Sequence, residues 1–194
     1  MLGDALEWRS LEMTLTDGRR LRATLPADMV FEDLAPRLWD VDGDGAPEVV
    51  TVETALDRGA RLAIWSAEGR RAATPFIGER HRWLAPLAAA DLDGDGRVEI
   101  AYVDRPHLAR VLRLWRLEGD RLVAVASMQG VTNHRIGEAV IHGGLRACGD
   151  RPELVAADGT WRRLLAIGFD GTRLSARDIG PWSPEAEARA RACR

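Results

Sequence analysis

The sequence lacks the features that mark several specialised classes of protein. It contains no lysine, so all 27 basic residues are arginine, and their scattered positions argue against nucleic-acid binding. No apolar stretch approaches the roughly 20 residues of a membrane-spanning helix, so we expect no membrane insertion. Two cysteines, Cys148 and Cys193, are too few for a disulfide-rich scaffold and wrongly spaced for a zinc site. They are either two buried thiols or one disulfide.

The length of the chain bounds its organisation. Its 194 residues are enough for one sizeable core, and we expect a single domain over residues 1–194. The first residues lack the basic and apolar regions of a signal peptide. The protein is therefore either cytosolic or has lost a leader segment.

An acidic loop that occurs twice is the clearest functional signal. Residues 40–48 read DVDGDGAPE and residues 91–99 read DLDGDGRVE, with acids at positions 1, 3, 5 and 9. Calcium takes six to eight oxygen ligands, and alternate side chains of a tight loop converge on one centre. The glycines permit the left-handed turns that such a loop needs. The sequence therefore predicts two Ca²⁺ sites, with weaker binding in the second because Arg97 adds a positive charge.

The loops differ from an EF-hand, which shares the motif Asp-x-Asp-x-Asp-Gly. An EF-hand needs a bidentate glutamate at loop position 12 and a helix on each side. Position 12 is Thr51 in the first loop and Tyr102 in the second, and both loops are followed by apolar, β-branched segments. The pattern excludes a helix–loop–helix site.

A repeat of about 50 residues surrounds the loops. The loop-ending acids Glu48 and Glu99 are 51 residues apart, and Glu153 follows after 54 more. About four short apolar runs, separated by turn signals, fill each unit, which is typical of a β-propeller blade. We predict an all-β, propeller-like array of about three four-stranded blades, plus an N-terminal hairpin that forms part of a further blade. The predicted ranges are 6–25 for the hairpin, 30–76, 82–128 and 135–179 for the blades, and 183–193 for a C-terminal helical tail.

The loops and the strands after them resemble the FG-GAP or VCBS-type calcium-binding repeat of integrin α-subunit propellers and of small exported α-proteobacterial proteins. The resemblance implies the calcium ligands Asp40, Asp42, Asp44, Ala46, Glu48, Asp91, Asp93, Asp95, Arg97 and Glu99, with Ala46 and Arg97 using backbone carbonyls. It also implies a periplasmic or secreted protein, in which Cys148 and Cys193 form a disulfide. The third unit lacks the loop acids, so we expect no metal there.

Charged residues and histidines recur at the predicted opposite end of the blades, because successive strands are antiparallel. They are Glu53, Arg58, His81, Arg82, Asp104, Arg105, His107, His134, Arg135 and Asp158. Such a surface is typical of a ligand site, and we expect His81, Arg82, Asp104, Arg105, His107 and His134 to line one concave surface. The alternative is that the acids pair with arginines and the histidines fix loops.

These patterns favour a calcium-binding interaction module over an enzyme. Calcium is expected to be structural, and the partner is an unidentified protein, peptide or small molecule. The alternative is a hydrolase-like enzyme with His81, His107 or His134 as base and Asp104 as its partner.

Overall fold

A computed structural model describes residues 7–194. In this part of the chain the structure is all-β except for one short helix, as predicted. Residues 1–6, which include the first residue of the predicted hairpin and the start of the predicted domain, lie outside the described residues.

Three antiparallel sheets correspond to the three predicted blades. The first blade contains β3 (Met29–Phe31), β4 (Arg37–Trp39), β5 (Glu48–Ala55), β6 (Gly59–Ser66) and β7 (Gly69–Ala73). The second contains β8 (Leu84–Ala90), β9 (Glu99–Asp104), β10 (Val111–Glu118) and β11 (Arg121–Gln129). The third contains β12 (Val131–Thr132), β13 (Gly144–Arg146), β14 (Glu153–Asp158), β15 (Arg163–Phe169) and β16 (Leu174–Pro181).

The first strand of each blade, at one edge of its sheet, is irregular at a similar place. In the first blade β3 and β4 pair with β5 as two separate pieces, and in the third blade β12 and β13 pair with β14 in the same way. In the second blade β8 is continuous but carries a register shift between Pro86 and Ala88. The interrupting segment is longest in the third blade, where residues 133–143 leave the sheet.

The blades pack face to face because each central strand is apolar on both sides. In β5, Val50 and Val52 belong to an apolar cluster that also contains Ile100 of the second blade, while Val49 and Ala55 belong to a different cluster on the other face. A second apolar cluster joins Val103 of the second blade to the third blade. Alternate residues of a strand point to opposite faces, so one strand serves two interfaces.

Both ends of this array are covered. The hairpin of β1 (Ser10–Thr14) and β2 (Arg20–Thr24) packs against the outer face of the first blade, where Trp65 is buried. The helix α1 (Pro184–Arg191) contacts β13 and β14 of the third blade, and Ser183 caps its N-terminus by accepting the Ala186 N–H. The two caps remove apolar surface that an open array of blades would otherwise expose.

The predicted disulfide is confirmed. Cys148 and Cys193 are bonded, with their Cα atoms 5.4 Å apart. Cys148 follows β13 and Cys193 follows α1, so the bond ties the end of the helix to the loop of the third blade. The cross-link therefore stabilises the C-terminal cap.

Replacing both cysteines with serine should lower the free energy of unfolding. The bond spans 45 positions, and the chain-entropy model gives about 4 kcal/mol for such a closure, an upper value. Urea denaturation without reductant should show a loss of about 2–4 kcal/mol, and wild-type protein with reductant should match the variant. Equal stability of the variant and the oxidised wild type would contradict the assignment.

Candidate metal centres and the opposite face

The first acidic loop joins β4 to β5 and draws three carboxylates together. Ligand atoms of Asp40, Asp42 and Glu48 lie within 4.8 Å of one another. Since calcium holds its oxygen ligands at about 2.3–2.6 Å, oxygens up to about 5 Å apart fit one ion. Asp44 lies outside this cluster, and its Oδ1 accepts the Ala46 N–H at 2.7 Å.

The second loop, which joins β8 to β9, forms the equivalent cluster. Ligand atoms of Asp91, Asp93 and Glu99 also lie within 4.8 Å of one another. Asp95 is outside the cluster and bonds to Arg97 at 2.8 Å. In both loops the acids at positions 1, 3 and 9 converge, and the calcium-ligand roles predicted for positions 1, 3, 5, 7 and 9 stay predictions.

Both loops are built by the same backbone hydrogen bonds. The first acid accepts the N–H groups of the fourth and sixth residues, and the ninth accepts the N–H of the second. The second residues, Val41 and Leu92, are buried in the apolar clusters and anchor the loops. The fourth and sixth residues are glycines in the left-handed conformation, namely Gly43, Gly45, Gly94 and Gly96 with φ of 77°, 89°, 79° and 85°.

Residues 40–102 match the model of the FG-GAP-like repeat. The matched stretch begins at the first acid of the first loop and ends within β9. It confirms the FG-GAP resemblance for this part of the chain, while the closer resemblance to VCBS-type exported proteins stays a prediction. A comparison with curated proteins finds no match. Among residues 7–194, no helix is long and apolar enough to cross a membrane.

Each acidic cluster also holds an arginine. Arg71 of β7 bonds Asp42 at 2.5 Å and Glu48 at 3.1 Å, and its side chain is 26% exposed. Arg116 of β10 is buried more deeply, with 6% of its side chain exposed. Its partners are Asp93 at 2.8 Å, Asp95 at 3.1 Å and Glu99.

Sequence reasoning missed both arginines. For Arg116 a signal existed, because it lies directly opposite Glu99 in the β9–β10 pairing. Arg71 lies 23 positions from Glu48 in the chain, and only the folded sheet brings the two together.

The arginines and the burial of the loops shift the carboxyl pKa values in opposite directions. The hydrogen bond from Arg71 lowers the pKa of Asp42, and that from Arg97 lowers the pKa of Asp95 to about 2. Burial raises the pKa of Glu99, although Arg116 opposes this. The second cluster is therefore the more desolvated one, and it already contains a buried cation.

In the third blade, arginines pair with the acid that corresponds to the last residue of the acidic loops. Glu153, the residue equivalent to Glu48 and Glu99, bonds Arg146 at 2.5 Å and Arg177 at 3.2 Å. The disulfide lies in the loop before it.

At the opposite end of the blades, the predicted acids are held in structural interactions. Glu53 is fully buried, and Arg61 donates to it at 2.5 Å. Asp104 is also buried, and its carboxylate bonds Arg105 and Arg113, each at 2.9 Å. These pairs match the alternative in which acids and arginines stabilise the repeat.

Four of the predicted residues, Arg58, Arg82, Arg105 and Asp158, are held at or beside turns. The Asp158 carboxylate accepts the backbone N–H groups of residues 160, 162 and 163. Arg58 bonds Asp57 and lies 4.3 Å from the Phe76 ring centroid. The Glu79 carboxylate forms ion pairs with Arg82 at 3.1 Å and with Arg105 at 3.3 Å.

The histidines do not share one environment. His81 is exposed with φ of 57°, whereas His134 is fully buried, with Nδ1 2.8 Å from His107 Nε2. The expectation of one concave surface is therefore wrong for His134 and for Asp104, because both are buried. The long segment 133–143 carries His134 inward, and the described partners of Asp104 are arginines rather than a histidine.

A cavity of about 830 Å³ opens beside the first acidic loop, between the hairpin and the first blade. Its apolar lining includes Leu11, Met13, Leu38 and Trp65, and Glu48 lies at its wall. Sequence reasoning did not predict this cavity, because it depends on how the hairpin packs.

Acid should destabilise the protein through His107. Burial, together with the neighbouring His134, lowers the pKa of His107 to about 4, whereas an unfolded histidine has a pKa of about 6.5. Between these pH values the unfolded chain binds more protons than the folded protein. The stability contributed by neutral His107 is therefore fully present above pH 6.5, and it is lost as the pH falls toward 4. Because His107 is only half-buried, solvent screening keeps the loss below the roughly 3.4 kcal/mol that the full pKa difference would give. Urea denaturation between pH 7 and 5 should show a shallower decline for His107→Gln, while the exposed control His81→Gln keeps the wild-type slope. Identical slopes for all three proteins would contradict this assignment.

Proposed function

We propose that this protein is a propeller-like interaction module whose two acidic loops bind calcium as a structural ion. The main support is that each of the two loops brings three carboxylates together and has the same pattern of backbone hydrogen bonds. Both loops lie within the stretch that matches the FG-GAP-like repeat. Calcium bound there would offset the repulsion between the carboxylates and hold the connection between two strands. Asp40, Asp42 and Glu48 would hold one ion, and Asp91, Asp93 and Glu99 the other.

The first site has a direct connection to partner binding in this proposal. Glu48 belongs both to the carboxylate cluster and to the wall of the cavity beside the hairpin. An ion in the first loop would therefore fix one wall of that cavity. The disulfide is consistent with an extracellular or periplasmic location, where millimolar calcium is available.

Calcium should raise the melting temperature. With a dissociation constant of about 0.1–1 mM, 10 mM calcium stabilises each site by about 1.4–2.7 kcal/mol. This corresponds to roughly 3–10 °C per site for a chain of this size. Differential scanning calorimetry in calcium and in chelator should show the shift, and Asp42→Asn and Asp93→Asn should each reduce it. Equal melting temperatures in calcium and chelator would overturn the calcium proposal.

The second site should bind calcium more weakly, because Arg116 already neutralises its carboxylates. In chelator, Arg116→Gln leaves these acids facing one another and should lose about 3–5 kcal/mol of stability, as for other broken buried pairs. Calcium should recover most of that loss by occupying the second cluster.

Arg71→Gln is the matched control at the first cluster, and its loss in chelator should be smaller because Arg71 is more exposed. A loss in Arg116→Gln that calcium does not reverse would contradict the idea that arginine and calcium satisfy the same carboxylates.

A further inference from the structure

Three aromatic rings form a corner at one end of the third blade. Trp161 lies in the turn between β14 and β15, Trp182 follows β16, and His142 precedes β13. The interplanar angles are 79° between the two indoles, 78° between His142 and Trp161, and 89° between His142 and Trp182. The ring centroids are only 4.7–5.4 Å apart. We call these three residues the aromatic corner.

The aromatic corner holds a cation supplied by the chain itself. The guanidinium carbon of Arg135 lies 4.4 Å from the ring centroid of Trp161 and 4.3 Å from that of Trp182. Glu138 adds a negative charge, with its carboxylate 3.7 Å from Arg135. The Arg135 side chain is 40% exposed, so the corner is accessible from solvent on the side that Arg135 enters.

Separate interactions fix each ring in place. The Trp182 indole N–H donates to Glu187 at 3.3 Å, and this buried glutamate also accepts the Gly143 N–H at 2.7 Å. His142 Nε2 lies 2.9 Å from the Glu138 carboxylate. The corner is therefore preorganised by residues outside the rings.

Trp161 has a strained backbone. Its φ is 60°, in the left-handed region that is unfavourable for a bulky side chain. The Asp158 carboxylate stabilises this turn by accepting the backbone N–H groups of the two residues that follow Trp161. Strain that the surrounding structure maintains is typical of functional sites.

We propose that the aromatic corner is a binding site for an organic cation, and that Arg135 is an intramolecular occupant which competes with the external ligand. Aromatic faces attract cations through their quadrupoles, and they favour weakly hydrated ones such as guanidinium and quaternary ammonium groups. Arg135 shows that a planar guanidinium fits against both indoles. The class of ligand is therefore a small guanidinium or alkylated ammonium compound.

The position of Arg135 allows such an exchange. It lies on the segment 133–143, which leaves the sheet between β12 and β13, and the residues Ile136 and Val140 on this segment are 75% and 52% exposed. Arg135 follows the buried His134 but precedes these exposed residues, so its side chain can leave the corner without opening the blade. As long as it stays, it lowers the apparent affinity for any external cation in proportion to its occupancy.

This site is independent of the acidic loops, because it is built on the third blade and uses none of their residues. Its test therefore does not depend on calcium, and all titrations are made at one fixed calcium concentration.

The test is a titration of the whole protein with tetramethylammonium and, separately, with ethylguanidinium. Binding is followed by NMR at the Trp182 indole N–H, with sodium chloride as the ionic-strength control. Arg135→Ala removes the occupant and should bind at least one of the two cations about tenfold more tightly than wild type. Arg135→Ala combined with Trp161→Leu should lose this gain, and Arg162→Ala, which removes a neighbouring arginine outside the corner, should behave as wild type.

Equal, weak binding in wild type and Arg135→Ala would overturn the proposal and leave Arg135 as a purely structural contact. The same conclusion follows if Trp161→Leu does not reduce the gain. If Arg135→Ala is unfolded at the assay temperature, Arg135→Gln serves as the occupant-free variant, and its failure to bind more tightly also overturns the proposal.

Discussion

Buried carboxylates at both ends of the central strands are the constraint on which the structure depends. β5 begins at Glu48 and has Glu53 near its other end, and β9 runs from Glu99 to Asp104; all four acids are buried. A buried charge is energetically costly unless it is paired, so each of these carboxylates needs a positively charged partner. At one end arginines do this alone, whereas at the other end three carboxylates of each loop also converge within 4.8 Å of one another.

The third blade shows what happens when the loop acids are absent. Glu153 is paired with Arg146 and Arg177, and the disulfide joins the shortened loop to the C-terminal helix. A covalent bond and two arginines thus occupy the place that an acidic loop has in the other blades. The same helix supplies Glu187, which supports the aromatic corner, so the C-terminal cap stabilises the blade and also shapes its surface.

Features with a strong local pattern were predictable from the sequence. The repeated acids, the glycines after them and the apolar runs specify the loops and the three sheets, because strand periodicity and turn chemistry are local properties. The environments of His81 and His134 were not predictable. The sheet pairing places them differently: Leu84 of β8 pairs with Asp104 and Val131 of β12 pairs with Asp158, so His81 precedes its strand, whereas His134 follows β12 and is buried. The aromatic corner was also missed, since its rings and Arg135 come from separate connections that only the folded chain brings together.

Calcium binding by the two clusters is tested most directly by a crystal structure of protein crystallised in calcium, with anomalous scattering recorded at long wavelength. We predict two strong anomalous peaks, one in each carboxylate cluster, with the peak at Asp42 and Glu48 at least as occupied as the peak at Asp93 and Glu99. No peak in either cluster, with Arg71 and Arg116 still bonded to the carboxylates at saturating calcium, would show that arginine alone satisfies these loops and would contradict the account.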